Sequence, residues 1–485
     1  MKAKAKSSIW VFIIPAAILI LLRIPSLFES YWYGDEAIYA AVAQGLLKGK
    51  LMYAQIWDHK PPFIFLFFYP AALIGWSKGF ILLRLVNILM GLSSLLLISE
   101  VLKKPVKDTP RFVSLFLLVL FLGSPILEGN VVNAEVIFMV FNLLALYLLI
   151  NKKQFLLVGF LGFLSLITKV PGFVEFAVIC ASIAVIYFRE EKIKFLLDSI
   201  IKIIIGFIFP IIVMVFIFYL FKILPDLVYA NATFNKIYSL SQANYINILG
   251  KNIPTTYPSA LSLFSVFLFV TILFWKRKIS SILYIGISLL AVEGFASLLS
   301  GKNYSHYFLQ ILPALTILIA LLMSEFKKIK KIDYILISVV FILFVPMLMV
   351  FTNGGSLPVY AEPQEYYPWF LTNREKFWWG KSGKVERFSD YLNTNYLDLN
   401  PIYIYTDKPW IEALSSRDIA NKYVVWFHLQ YRQEHLQEEM ENNMSRAQLF
   451  ALDRDPQLLE PVKNMLDSEF EKIDNFENFD IYIRK

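Results

Sequence analysis

The chain has 485 residues, of which 57% are hydrophobic and 17% charged, and its mean hydropathy is +0.58. A soluble globular protein carries about 25% charged residues, so an ordinary soluble domain is excluded and repeated apolar spans of about 20 residues are expected. The formal net charge of +8 reads as topological rather than as a nucleic-acid footprint, because Lys and Arg collect in the cytoplasmic loops of membrane proteins.

At the N-terminus Lys2, Lys4 and Lys6 precede an apolar run from Ile9 to Leu22. No small-residue cleavage site follows, and Arg23-Ile24-Pro25 interrupts the pattern, so this is a retained first span rather than a signal peptide. Further apolar segments fall near 81–102, 111–129, 132–150, 155–171, 172–188, 197–224, 257–275, 279–299, 304–324 and 331–351. With 9–28 they make about eleven spans by the length rule. The basic clusters test the order: Lys2/Lys4/Lys6, Lys103/Lys104/Lys107, Lys152/Lys153, Arg189/Lys192/Lys194, Lys276/Arg277/Lys278 and Lys327/Lys328/Lys330/Lys331. With the N-terminus inside, each of these falls on the cytoplasmic side. Phe63 to Ile74 is apolar but too short to span, and is expected to lie as a juxtamembrane or re-entrant piece on the outer side. The one cysteine, Cys180, excludes an intrachain disulfide and a cysteine-built metal site.

These readings divide the chain into a transmembrane part, 1–351, with a first outer loop at 29–80, and a polar outer part, 352–485. In the tail, Pro401 to Tyr405, Tyr423 to Phe427 and Phe479 to Ile483 read as strands. Val385 to Tyr396 and Glu434 to Met444 read as helices. The expected fold class is a polytopic α-helical membrane protein with a C-terminal extracytoplasmic α/β domain. The aromatic groups Tyr366-Tyr367-Pro368-Trp369 and Phe377-Trp378-Trp379 suit a membrane interface.

The first outer loop holds the densest chemistry: Tyr33-Gly34-Asp35-Glu36, then Trp57-Asp58-His59-Lys60-Pro61-Pro62. Between them Ile38, Val42 and Leu46 fall at helical spacing, which predicts an amphipathic helix along the membrane surface. Asp35 at its start reads equally as an N-cap or as a positioned, ionised carboxylate. Successive helical residues point about 100° apart, so one of Asp35 and Glu36 can face a substrate while the other anchors the loop. Lys60 is either a snorkelling interfacial lysine or a point charge for a phosphate at headgroup depth, presented by a backbone that two prolines stiffen. Arg84, Glu128, Glu135, Lys169, Glu175, Glu293, Lys302 and His306 gather on the outer side in this topology, and charges beside spans mark a polar cavity. The chain lacks HExxH, Walker, GxGxxG and GxSxG patterns. The four histidines, at 59, 306, 428 and 435, show no metal-ligand spacing within one element. No metal and no cofactor are expected.

In order along the chain, Gly34-Asp35-Glu36, Asp58-His59-Lys60-Pro61-Pro62, Asn133-Ala134-Glu135, Thr168-Lys169 and His306-Tyr307-Phe308-Leu309-Gln310 with Leu312-Pro313 resemble the GT-C superfamily. The likeness is to family 39-like glycosyltransferases, which include protein O-mannosyltransferases and the aminoarabinose transferases that modify lipid A. It runs over most of residues 1–350. It implies inverting transfer of a sugar from a polyprenyl-phosphate donor to a glycan, lipid or protein acceptor outside the cytoplasm, in a bacterial or archaeal plasma membrane. Carried onto this sequence, Asp35 is the candidate general base, with Glu36 beside it. Lys60 is a phosphate-binding residue, and Asp58, His59, Glu135, Lys169 and His306 are substrate-binding candidates. Arg84 is a further cation for the departing phosphate. The competing expectations are a lipid-linked glycan flippase, which needs charges spread through the membrane, and a surface-glycan ligase.

Overall fold

The computed structural model describes residues 9–123, 125–241, 245–248, 251–254, 265, 268–276, 279–298, 304–325 and 383–485. The expected span at 331–351, most of that at 257–275, Lys302 and the aromatic groups between 366 and 379 lie outside the described residues.

Helices form where the apolar segments predict them. Trp10–Arg23, Trp76–Leu102, Asp108–Gly123, Ala134–Asn151, Phe155–Thr168, Val170–Arg189, Ile193–Leu220, Ser281–Leu298 and Leu312–Glu325 follow in chain order. Among the described residues six stretches are long and apolar enough to cross a membrane: Trp10–Phe28, Trp76–Leu102, Ala134–Asn151, Val170–Arg189, Ile193–Leu220 and Ser305–Ser324. Phe155–Thr168 and Ser281–Gly294 are shorter apolar helices, as is Pro62–Leu73, the piece read as too short to span. The chain is a polytopic α-helical membrane protein.

It divides into two compact units. The first comprises 1–26, 84–216 and 239–366; the second comprises 27–83, 217–238 and 367–485.

In the first unit the apolar core runs through Leu19, Leu95, Leu122, Leu146, Ile179, Leu290 and Ile317. Close helix crossings rest on small residues, as they must where lipid supplies no hydrophobic drive between helices. A Cβ on Gly159 would strike the Ile203 backbone, and one on Gly206 would strike the Leu156 backbone. Phe155–Thr168 and Ile193–Leu220 therefore meet main chain to main chain. Ile193–Leu220 is otherwise exposed over nearly its whole length, with only Leu196 and Ser199 buried, as befits a helix whose solvent is hydrocarbon.

In the second unit the helix Gly34–Leu47 packs between Pro62–Leu73 and Trp410–Leu414. Residues Glu36 to Ala43 are buried on every face. This corrects the expected surface-lying amphipathic helix: the Ile38/Val42/Leu46 stripe is one of several buried faces, and the intervening alanines admit close neighbours. Asp35 is not the N-cap either. Tyr33 holds that position, and Asp35 lies in the first helical turn.

The tail forms a four-stranded sheet in the order Ile402–Tyr405, Leu449–Asp453, Phe479–Arg484, Phe470–Phe476. The first pair is parallel, with Ile402 opposite Leu449, and the others are antiparallel. Both parallel strands are buried at every residue, the pattern of strands covered on two faces. The helices Lys384–Asn395 and Gln433–Asn442 match expectation. The expected strand at Tyr423 to Phe427 does not form: Tyr423 makes one isolated bridge to Trp57, and Trp426–Tyr431 is a 3-10 helix. A short apolar run does not reveal its own period.

Gly206→Val should force the two crossing helices apart and cost about 1–3 kcal/mol. Thermal unfolding of the detergent-solubilised variant, read against Ile208→Val on the exposed side of the same helix, measures this.

Candidate active site

The second unit assembles its polar cluster from the loop between two helices. Gly34–Leu47 places Asp35 in its first turn, where the helix dipole favours a carboxylate. Pro62 opens the next helix and Pro61 caps it in extended conformation, so the chain leaves Lys60 in one direction only. The Lys60 carbonyl accepts a bond from Tyr53 Oη at 2.7 Å, and Tyr53 itself turns the loop at φ +65°. Asn235 Nδ2 donates to the His59 carbonyl at 3.0 Å. Lys60 Nζ stands 3.5 Å from Asp35 Oδ1 and 3.5 Å from Asp58 Oδ1, with side-chain exposures of 13%, 26% and 0% for the lysine and the two acids. The ammonium also lies 5.3 Å from the Tyr39 ring centre, a cation–π distance. Glu36, the neighbour of Asp35, is buried. The two adjacent carboxylates thus divide as helical geometry requires, one partly open and one inside.

Trp57 anchors this loop. Its N–H donates to the Lys422 carbonyl at 2.7 Å, and its ring meets Phe234, Tyr423 and His428 edge-on or tilted at 4.7–5.1 Å. His428 Nε2 lies 3.3 Å from His59 Nδ1, which is 3.6 Å from Asp58 Oδ1. Asp58, His59 and His428 each offer one ligand atom, all within 4.8 Å of one another, so this trio has the geometry to hold a metal ion. Among the described residues, buried Asp58 Oδ2 has no hydrogen-bond partner. Burial holds the His428 imidazole well below its ordinary pKa, and burial likewise takes His435 down to about 4. His428 carries no sequence signal: 369 residues separate it from His59.

The first unit holds a second cluster. Lys169 is the extended joint between Phe155–Thr168 and Val170–Arg189. Its ammonium lies 2.5 Å from Glu135 Oε1 and 4.4 Å from the Tyr307 ring centre. Glu135 is in the first turn of Ala134–Asn151. His306 Nδ1 pairs with Glu128 Oε2 at 2.7 Å, and Ser305 Oγ donates to Glu128 Oε1 at 3.1 Å. Glu128 sits at φ +54°, a strained position for a residue with a side chain. Asn133 Nδ2 on its carbonyl at 3.0 Å holds it there. Asn87 Nδ2 fastens the same turn through the carbonyls of Gly129 and Val131, both at 3.0 Å. Arg84 is buried and donates from Nε to the Ser26 carbonyl at 3.2 Å. Glu175 and Glu293 are buried in the helices Val170–Arg189 and Ser281–Leu298.

The sequence candidates therefore fall into two groups. Asp35, Asp58, His59 and Lys60 meet one another, with His428 added; Glu135, Lys169 and His306 share a cluster with Glu128. Arg84 is tied to the backbone in the first unit.

No protein-family model matches the sequence, and no curated protein is similar to it. Among solved structures, ArnT from Cupriavidus metallidurans in the apo state superposes over 98% of this chain and 97% of its own, with a TM-score of 0.52 and 12% identity. The chain shares the fold of that protein. Archaeal oligosaccharyltransferase AglB from Archaeoglobus fulgidus, in complex with an inhibitory peptide and a dolichol-phosphate, matches over 92% of this chain and 69% of its own, with a TM-score of 0.41 and 12% identity. Its apo form matches at a TM-score of 0.42 and 13% identity. At these identities the likeness is one of fold.

The pairing of Glu135 with Lys169 predicts a coupled pair. Removing one partner strands the other's charge, at a cost of about 3–5 kcal/mol. Glu135→Gln and Lys169→Met should each lower the thermal midpoint, and the double variant should be more stable than the sum of the two losses. Strict additivity would show that the pair is not coupled.

Proposed function

We propose that the protein is a membrane glycosyltransferase that moves a sugar from a polyprenyl-phosphate donor to an acceptor hydroxyl on the extracytoplasmic side, with inversion. The observation that carries this reading is the Lys60 ammonium, 3.5 Å from a partly open carboxylate, Asp35, and 3.5 Å from a closed one, Asp58. The shared fold and the motif order support it. The placing of every basic cluster on one side supports the sidedness.

The chemistry follows from the charges. A glycosyl phosphate leaves readily, so the demanding steps are activating the acceptor and neutralising the departing phosphate. Asp35 takes the proton of the acceptor hydroxyl. The acceptor oxygen bonds to the anomeric carbon from the face opposite the leaving group, and the bond from that carbon to the phosphate oxygen breaks. Its electron pair goes to the phosphate, which Lys60 neutralises. Before the donor arrives, Lys60 is shared between the two acids. A phosphate draws the ammonium away from Asp35 and leaves that carboxylate the stronger base. Asp58, buried, keeps the lysine in place. In this reading Glu36 buttresses Asp35. Arg84, His59, Glu135, Lys169 and His306 are retained as substrate-binding candidates on the family motifs and on the charge the reaction needs. The cation that the phosphate requires is Lys60, so the reaction runs without a metal.

The test is sugar transfer in proteoliposomes from a panel of radiolabelled polyprenyl-phosphate sugars. Asp35→Asn should lower turnover by about 10²–10⁴-fold, the usual contribution of a positioned base. Lys60→Ala should weaken use of the donor. If the donor binds, no label leaves it, and a fluorescent carrier crosses the bilayer, the protein is a transporter instead.

Chelation separates the remaining point. EDTA should leave the rate unchanged. A rate lost to EDTA and restored by zinc would give Asp58, His59 and His428 to a metal.

A further inference from the structure

The segment 415–423 lies beside the first strand of the C-terminal sheet, with bends at Arg417 and Lys422. Ile419 bridges Ile402 in parallel. Ile402 N–H donates to the Asp418 carbonyl at 2.9 Å, and Ala420 N–H donates to the Ile402 carbonyl at 2.7 Å. Asn421 completes the attachment with a pair of bonds to the backbone of Ile404, at 2.9 and 2.7 Å. One isolated bridge thus lays the segment along the outer side of Ile402–Tyr405, and the main-chain groups it turns away from the sheet need partners.

Here those partners come from the first loop. Lys48 Nζ donates to the carbonyls of Ser415, at 3.3 Å, and Arg417. Lys50 Nζ donates to the carbonyls of Ile419, at 2.5 Å, and Asn421, at 3.1 Å. These are alternate residues, whose carbonyls point to one side where the chain is extended. Trp57 N–H then takes the next carbonyl, that of Lys422, at 2.7 Å. Two ammonium groups and one amide together take five carbonyls of the segment. Asp418 and Glu412, the latter buried in the adjacent helix Trp410–Leu414, are acidic groups that act on both lysines. Charge-assisted bonds of this kind are stronger than amide–amide bonds. The residues directly after Trp57 are Asp58, His59 and Lys60.

We propose that the C-terminal domain is the rigid support of the active loop, and that Lys50, with Lys48, is a positioning residue that fixes Asp58–Lys60 by clasping the 415–421 segment. This rests on the transferase reading for what the loop does, but the clasp is measurable without it. The domain's sheet sets this segment, the segment sets Trp57, and Trp57 sets the three residues that follow. A displacement of about 1 Å in a positioned group costs about 100-fold in rate, so loosening the clasp lowers kcat/KM for the donor.

The experiment compares wild type, Lys50→Met, Lys48→Met and Lys50→Arg in proteoliposomes. Hydrogen exchange is read at residues 52–62 and 415–423, and sugar transfer is read as kcat and KM for the donor. In Lys50→Met, exchange at both segments should quicken and kcat/KM for the donor should fall by roughly 10- to 100-fold. Lys50→Arg, which keeps donors for the carbonyls, should restore most of both. Should Lys50→Met fail to fold, Lys48→Met, which removes only the outer half of the clasp, should show the same pattern in smaller measure. Unchanged exchange overturns the clasp whatever transfer does. Quickened exchange with unchanged kcat/KM overturns the positioning role and leaves the transferase standing. A wild type that transfers no sugar overturns the transferase reading and this role with it.

Discussion

A polar group among membrane helices has no water to turn to, so it must find its partner within the protein. That constraint arranges most of what is distinctive in this chain. Arg23 sends Nε and Nη2 to the Leu122 carbonyl at 3.1 and 2.6 Å. Arg84 closes on the Ser26 carbonyl, and Asn142 bonds both the Gly172 carbonyl and Ser165. The charged groups of the candidate site are placed where helices begin or break, because there the backbone leaves room for a second partner. Asp35 and Glu135 occupy first turns, Lys169 a joint between helices, and Lys60 the last position before a proline-led helix.

The C-terminal domain obeys a related rule. A sheet edge offers unsatisfied carbonyls to anything that can donate, and long charged side chains are the usual way to blunt it. Here the blunting groups belong to the loop that carries Asp58 and Lys60. A device that would ordinarily guard against aggregation thereby joins two stretches of chain more than 350 residues apart in sequence. The fold gains a loop with little freedom: its exit is fixed by Pro61 and Pro62, its middle by Tyr53 and Asn235, and its approach by Trp57 and the two lysines.

What the sequence revealed follows from the range of the forces. Apolar spans are local and long, so their positions were legible and the helices fall on them. Asp35, Lys60 and their neighbours were legible because one short loop carries them all. Partners brought from far away were not. Nothing near His428 marks it as the neighbour of His59, and nothing near Ser415 to Asn421 marks that stretch as the one that Lys48 and Lys50 cover. The helix Gly34–Leu47 was misread for a different reason. A stripe of Ile and Val announces one buried face, whereas Ala37, Ala40, Ala41 and Ala43 announce none, although each is fully packed. Small residues conceal burial because they bury so little.

The arrangement around Lys60 also explains why two acids serve better than one. A single carboxylate beside the lysine would form a closed pair, and a phosphate entering would have to strip the lysine from its only partner. With Asp58 held at the back and Asp35 at the front, the ammonium exchanges one neighbour for another and never loses its charge compensation. The carboxylate it releases is the more exposed of the two, the one an acceptor hydroxyl can reach. On the proposed chemistry, arrival of the phosphate and liberation of the base are therefore one event. A site so built has little reason to activate an acceptor while no donor is bound.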